Sequence, residues 1–216
     1  MRHRVRDRLR ALALTLLVCA LLTVAAPPAN AAVTLTQGHV DVLDVDYTGG
    51  ALVVRVLDDT VSPAVLRNPA DVVFQVPAAA KTTVPSGSQW AFLGAPGSTV
   101  WVLPQSQVAG LLWAGWNTAG VPSGVFSGNL TFSLTGVTGP GNVSIYTTSL
   151  GTPTVRANSG NGLPDQISVP RNTHTHANWA FTAAGTYAVT FNVSGTLLGG
   201  GTVSSGSRTF TFQALP

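Results

Sequence analysis

The 216-residue chain contains no glutamate, one cysteine, and only one long apolar run. Each shortage removes a class of protein. Without glutamate there is no zincin helix of the His-Glu-x-x-His type, and paired glycosidase carboxylates would have to come from aspartates alone. The cysteine, Cys19, lies inside the apolar run, so the rest of the chain offers neither disulfides nor thiolate metal sites. Any zinc site must use nitrogen and oxygen ligands. No Gly-x-Ser-x-Gly elbow and no glycine-rich phosphate loop before a helix occur. The composition therefore favours a non-enzymatic protein.

The apolar run has a recognisable purpose. Residues 1–10 carry five arginines, residues 11–26 are apolar, and Ala29-Asn30-Ala31 is a small-x-small cleavage site. Residues 1–31 read as a secretory signal-peptide helix, cleaved after Ala31. Cys19 follows Val18 within the run and not a small residue at its end, so lipidation is not expected. With the leader gone, residues 32–216 hold six basic residues against seven aspartates, a net charge of −1. The basic character of the whole chain comes from the leader, and a nucleic-acid partner loses its support. No further apolar run is long enough to span a membrane, and no sortase motif or anchor is seen at Leu215-Pro216, so a secreted, released product is expected.

Strand patterns dominate residues 32–216. Runs at 33–46, 51–57, 71–76, 98–103, 128–134, 142–147, 178–181, 186–194 and 207–212 are separated by glycine, proline, serine and asparagine clusters. Tyr47-Thr48-Gly49-Gly50 marks a hairpin. One all-β domain is predicted over 32–216, an antiparallel β-sandwich of immunoglobulin-like, Greek-key type. The one helical expectation is a turn or two over 104–113.

Within this poorly ionisable chain, Thr173-His174-Thr175-His176-Ala177-Asn178-Trp179 stands out. On a strand, alternate side chains share a face, so His174, His176 and Asn178 would project together. His39 and Asp41 share a face of the first long strand by the same rule. Three imidazoles and a carboxylate suit tetrahedral Zn²⁺ and would also accept Cu²⁺ or Ni²⁺, whereas manganese prefers more carboxylate. Asp41, Asp165 and Asn178 are candidates for a fourth ligand or for orienting an imidazole. Ligation needs neutral rings, so affinity should fall as pH drops through roughly 6.5. The alternative is that these histidines are ordinary polar residues at a sheet edge.

Trp113 and Trp116 lie three residues apart, with Trp179 beside the histidines. They are either core residues or an aromatic wall beside a ligand site.

Gly38-His39-x-Asp41, Val100-Trp101-Val102-Leu103-Pro104, Gly110-Leu111-Leu112-Trp113-x-Gly115-Trp116, Gly139-Pro140-Gly141 and His174-x-His176-x-Asn178-Trp179-x-Phe181 occur in this order. Together, over about residues 33–212, they resemble the actinobacterial surface-anchored protein domain, also called the choice-of-anchor M domain. That family is secreted or wall-attached. Its domains occur alone, repeated in sortase-anchored proteins, or fused to ABC transporter substrate-binding proteins of zinc or manganese type. The resemblance implies an extracytoplasmic binding module whose partner is an ABC transporter substrate-binding protein or a related surface protein. The family's histidine motifs fall on His39, His174 and His176. Many members end in a sorting signal or membrane anchor and this chain does not, which favours a diffusible or partner-bound role. Two rivals remain: a cell-wall or glycan adhesion module stacking sugars on Trp113, Trp116 and Trp179, and a structural spacer.

Overall fold

The computed structural model describes residues 31–216; the expected signal peptide, up to Asn30, lies outside the described residues. Ala31–Pro216 form one unit. In chain order its strands begin with β1 (Val33–Leu35), β2 (Gly38–Thr48), β3 (Ala51–Asp58), β4 (Val65–Arg67), β5 (Val72–Val76) and β6 (Lys81–Thr83). Next come β7 (Thr99–Leu103), β8 (Leu112–Asn117), β9 (Leu130–Thr138), β10 (Val143–Ser149) and β11 (Thr152–Asn158). The last are β12 (Asp165–Val169), β13 (His174–His176), β14 (Asn178–Phe181), β15 (Gly185–Thr196) and β16 (Thr202–Ala214). Short 3-10 turns are the helical elements among the described residues. No helix there is long and apolar enough to cross a membrane.

The fold is all-β and sandwich-like, built from three open sheets. One runs β1-β5-β16-β15-β9-β12, a second β11-β10-β14-β7-β6, and a third β13-β8-β2-β3-β4. Alternation drives the packing. In β15, Tyr187, Val189, Phe191 and Val193 are buried while the residues between them are less so. Phe74, Phe210 and Phe212 from β5 and β16 join Trp179 and Phe181 of β14, with the Phe74 and Phe212 rings stacked at 4.8 Å. Truncating one of these aromatic side chains to alanine would cost about 3–5 kcal/mol.

Most pairings are antiparallel, as expected, but β1–β5, β5–β16 and β2–β8 are parallel. A parallel neighbour requires a long crossover, and the chain between β2 and β8 makes one by building strands of all three sheets on the way. The helix expected over 104–113 is absent. Residues 104–111 instead form a loop that turns at Gly110, where φ is +81°, and Leu112 enters β8. Pairing of β8 between β2 and β13 overrides the local apolar pattern. The strands β4, β6, β11 and β12, unmarked in the sequence pattern, are edge strands of their sheets.

Candidate metal centre

The third sheet carries the site on three adjacent strands. In β2, alternation places His39 and Asp41 on one face, while Val40 is fully buried on the other. A register shift between Asp41 and Leu43 follows, so Asp44 also reaches the site face, where its Oδ1 accepts from Asn117 Nδ2 at 2.9 Å. β8 runs parallel to β2 and antiparallel to β13. Gly115 is therefore in register with Asp41 on one side and with His176 on the other. The missing side chain of Gly115 is the hollow over which those two side chains converge. A Cβ there would lie 2.6 Å from the Thr175 carbonyl oxygen and 2.7 Å from His176 Nδ1.

β13 is pinned to the end of β8 by Thr118. Its backbone N–H donates to the Thr173 carbonyl at 2.8 Å, and its buried hydroxyl donates to the Pro170 carbonyl at 2.9 Å. These bonds fix where His174 and His176 begin to pair, opposite Asn117 and Gly115.

The four side chains meet. His39, Asp41, His174 and His176 each present one donor atom, all within 4.8 Å of one another, and the group could hold a metal ion. His39 Nε2 and His174 Nε2 are 3.1 Å apart, and Asp41 Oδ1 lies 2.9 Å from His174 Nε2 and 3.8 Å from His39 Nε2. For Zn–N bonds of about 2.0–2.1 Å, neighbouring donors on a tetrahedron stand roughly 3.3 Å apart, a length inside that observed spread.

His39 Nδ1 contacts Asp59 Oδ2 at 3.1 Å. A carboxylate only accepts, so Nδ1 carries the proton and the Nε2 lone pair faces the cluster; this tautomer is assigned from the network. Asp59 is thus a member of the site that sequence reasoning missed. Its neighbour Asp58 fixes the turn: the fully buried Asp58 carboxylate accepts from Thr60 N, from Thr60 Oγ1 at 2.6 Å and from Arg67 Nε at 2.7 Å. No motif links position 59 to position 39; only the hairpin between β2 and β3 does.

His176 differs from its partners. Both of its ring nitrogens are buried without a hydrogen bond. The indole of Trp113 stacks on the imidazole at 3.8 Å and 15°, and Trp113 Nε1 donates to the Gln105 carbonyl at 2.7 Å. Burial, with His174 and His39 nearby, pushes the His176 pKa down to about 4; the Ala114 carbonyl opposes this weakly, without a hydrogen bond of good geometry. Burial also raises the Asp41 carboxyl above its ordinary value, opposed by His174 and His39. A half-buried neutral imidazole whose two nitrogens are shielded from solvent, beside a buried carboxylate, is a donor set that a cation completes.

Other candidates are elsewhere. The chain leaves the third sheet at Ala177, and β14 pairs with β7 and β10. Asn178 consequently accepts from Gln105 N at 2.9 Å and donates to the Tyr146 carbonyl at 3.3 Å. Asp165 accepts from Asn158 N at 2.6 Å, in the region of β11 and β12. Trp116 packs against Phe132, and Trp179 is fully buried. Of the three tryptophans only Trp113 lines the centre, so they do not form a shared exposed platform.

Comparison with known proteins gives no match: no family model fits the chain, and no curated protein or solved structure is significantly similar to it.

Proposed function

We propose that the domain binds one divalent transition metal, zinc favoured, through His39, His174, His176 and Asp41. The observation that carries this reading is the buried pair of unpartnered nitrogens on His176. The contacts among His39, His174 and Asp41 can be accounted for by shared protons, but the His176 ring has no such account. Four protein donors would leave no open coordination position, as in structural or carrier sites and unlike catalytic ones, which supports a non-enzymatic role. The His174 side chain is 46% exposed, so an ion would have a way in and out on its side. Combined with the leader and the resemblance to the choice-of-anchor M domain, this supports a secreted, cell-surface-associated module that holds metal for an ABC-type uptake system.

The test is elemental analysis of the chain from Ala32 onward, purified without a histidine tag and exposed to zinc, beside the His174→Ala/His176→Ala double variant. Near-stoichiometric zinc that disappears in the double variant is expected. No zinc in either protein, with the variant merely less stable, would replace metal binding by a spacer whose histidines tie strands together.

A further inference from the structure

A second feature lies apart from the metal centre. A groove of about 520 Å³ runs between β3 and β16, closed by the 3-10 turn Pro69–Asp71 and the adjoining Asn68. Over Val53–Arg55, β3 pairs only with β2, because β4 joins it at Val56 and beyond. Over Ser207–Thr209, β16 pairs only with β15, because β5 joins it from Thr211. Two strand edges that are free over these residues therefore border the groove.

Each edge contributes an arginine. Among the described residues, Arg67 is paired with Asp58, Lys81 sits over the Trp101 ring, and Arg171 donates to the Ser123 and Phe126 carbonyls. Arg55 and Arg208 have no such engagement. Arg55 lies opposite Asp44 in register, but no ion pair joins them, and Arg208 donates only to its neighbour's carbonyl at Ser207. Both line the groove, with Ser207, Asn68 and Thr209, whose hydroxyl shares a hydrogen bond with Thr190 Oγ1 at 3.0 Å. The one carboxylate in the lining, Asp71, accepts from Asn68 Nδ2 at 3.3 Å.

Two arginines that line one concavity beside Ser207, neither in a carboxylate ion pair although the Asp44 charge acts on Arg55, form a recognition surface for oxyanions. The guanidinium fork matches carboxylate and phosphate oxygens bidentately, which an ammonium cannot do. The volume lies within the roughly 300–1,000 Å³ typical of small-molecule sites. We propose that this groove is a second binding site, for a small polyanion bearing carboxylate or phosphate groups, held by Arg55 and Arg208. It shares no residue with the metal centre and does not depend on the metal reading.

Calorimetric titration of the metal-free protein with citrate and, separately, with inorganic phosphate in chloride buffer tests this. Saturable binding of at least one probe is expected, with a dissociation constant on the order of 1 mM or tighter. Binding of citrate alone assigns carboxylates, of phosphate alone assigns phosphoryl groups, and of both assigns oxyanions generally. Arg55→Ala and Arg208→Ala should each weaken binding by about tenfold or more, Arg→Lys by less, and His174→Ala/His176→Ala not at all. Both arginines are exposed, so circular dichroism should show each variant folded. Failure of both probes to saturate, or unchanged binding in folded Arg55→Ala/Arg208→Ala, would overturn the proposal.

Discussion

The Nε2 atoms of His39 and His174 stand 3.1 Å apart across 135 residues of chain. His174 Nε2 is also 2.9 Å from Asp41 Oδ1. With the Nδ1 proton of His39 given to Asp59, His39 Nε2 is an acceptor, so a single His174 proton is shared between two acceptors. A metal ion in its place would satisfy all three atoms and His176 as well. Three lone-pair donors converging on one point are uneconomical for a hydrogen-bond network and natural for a coordination site.

Asp59 should act through His39. Asp59→Asn is expected to weaken zinc affinity by about 10–100-fold, because the carboxylate that orients the ring and raises its basicity is lost. Its side chain is half exposed, so stability should move by no more than about 0.5 kcal/mol. Competition against a chromogenic chelator, with a parallel denaturant titration, reads both quantities. Unchanged affinity would remove Asp59 from the site.

Gly115→Ala should damage the centre without touching a ligand. The new Cβ would meet the Thr175 carbonyl, a backbone atom that cannot rotate away, and would push the His176 ring from its place. We expect a loss of about 1–3 kcal/mol in stability together with weakened zinc binding. Wild-type affinity in this variant would show that the hollow over Gly115 is not needed.

His176 should contribute affinity without contributing pH dependence. Because its pKa is pushed down to about 4, it releases no proton to a metal between pH 5 and pH 7. His176→Ala should therefore lower zinc affinity by about 100-fold or more, while the slope of log affinity against pH over that range stays that of the wild type. A shallower slope in the variant would mean that His176 titrates with the others.

Asp44 makes a prediction about stability alone. Burial, with Asp46 adding to it, raises its pKa from 3.8 to about 6. Between those values the folded state binds more protons than the unfolded state, so this group's contribution to stability falls as pH rises through that window. Asp44→Asn keeps an acceptor for Asn117 and removes the buried charge. The variant should match the wild type near pH 4 and exceed it by about 1–3 kcal/mol above pH 6. Thermal melts of metal-free protein at the two pH values test the sign; equal stability at both would show that Asp44 ionises without cost.

Much of the fold was legible along the chain. Alternation and turn residues marked the long strands such as β3, β15 and β16, because a strand with one buried face writes its period into the sequence. The β8 segment was not legible: Gly110-Leu111-Leu112-Trp113 reads as an apolar helical patch, and only the strands on either side make Leu112–Asn117 extended. Asn178 misleads for a related reason. Period-two counting assumes a strand that stays in one sheet, and this chain changes sheets at Ala177.

By itself, the sequence determined which chemistries are available: without glutamate, and with its one cysteine at position 19, imidazole and aspartate are what residues 31–216 offer to build a metal site. It also determined which side chains share a strand face, His39 with Asp41 and His174 with His176, because that depends on local backbone geometry alone. Only the tertiary structure decided that the two pairs meet. The decision rests on β8 lying between β2 and β13, on Gly115 leaving space between Asp41 and His176, and on the β2–β3 hairpin bringing Asp59 to His39. Those are relations between segments far apart in the chain, set by sheet order and register, and no local pattern of residues encodes them.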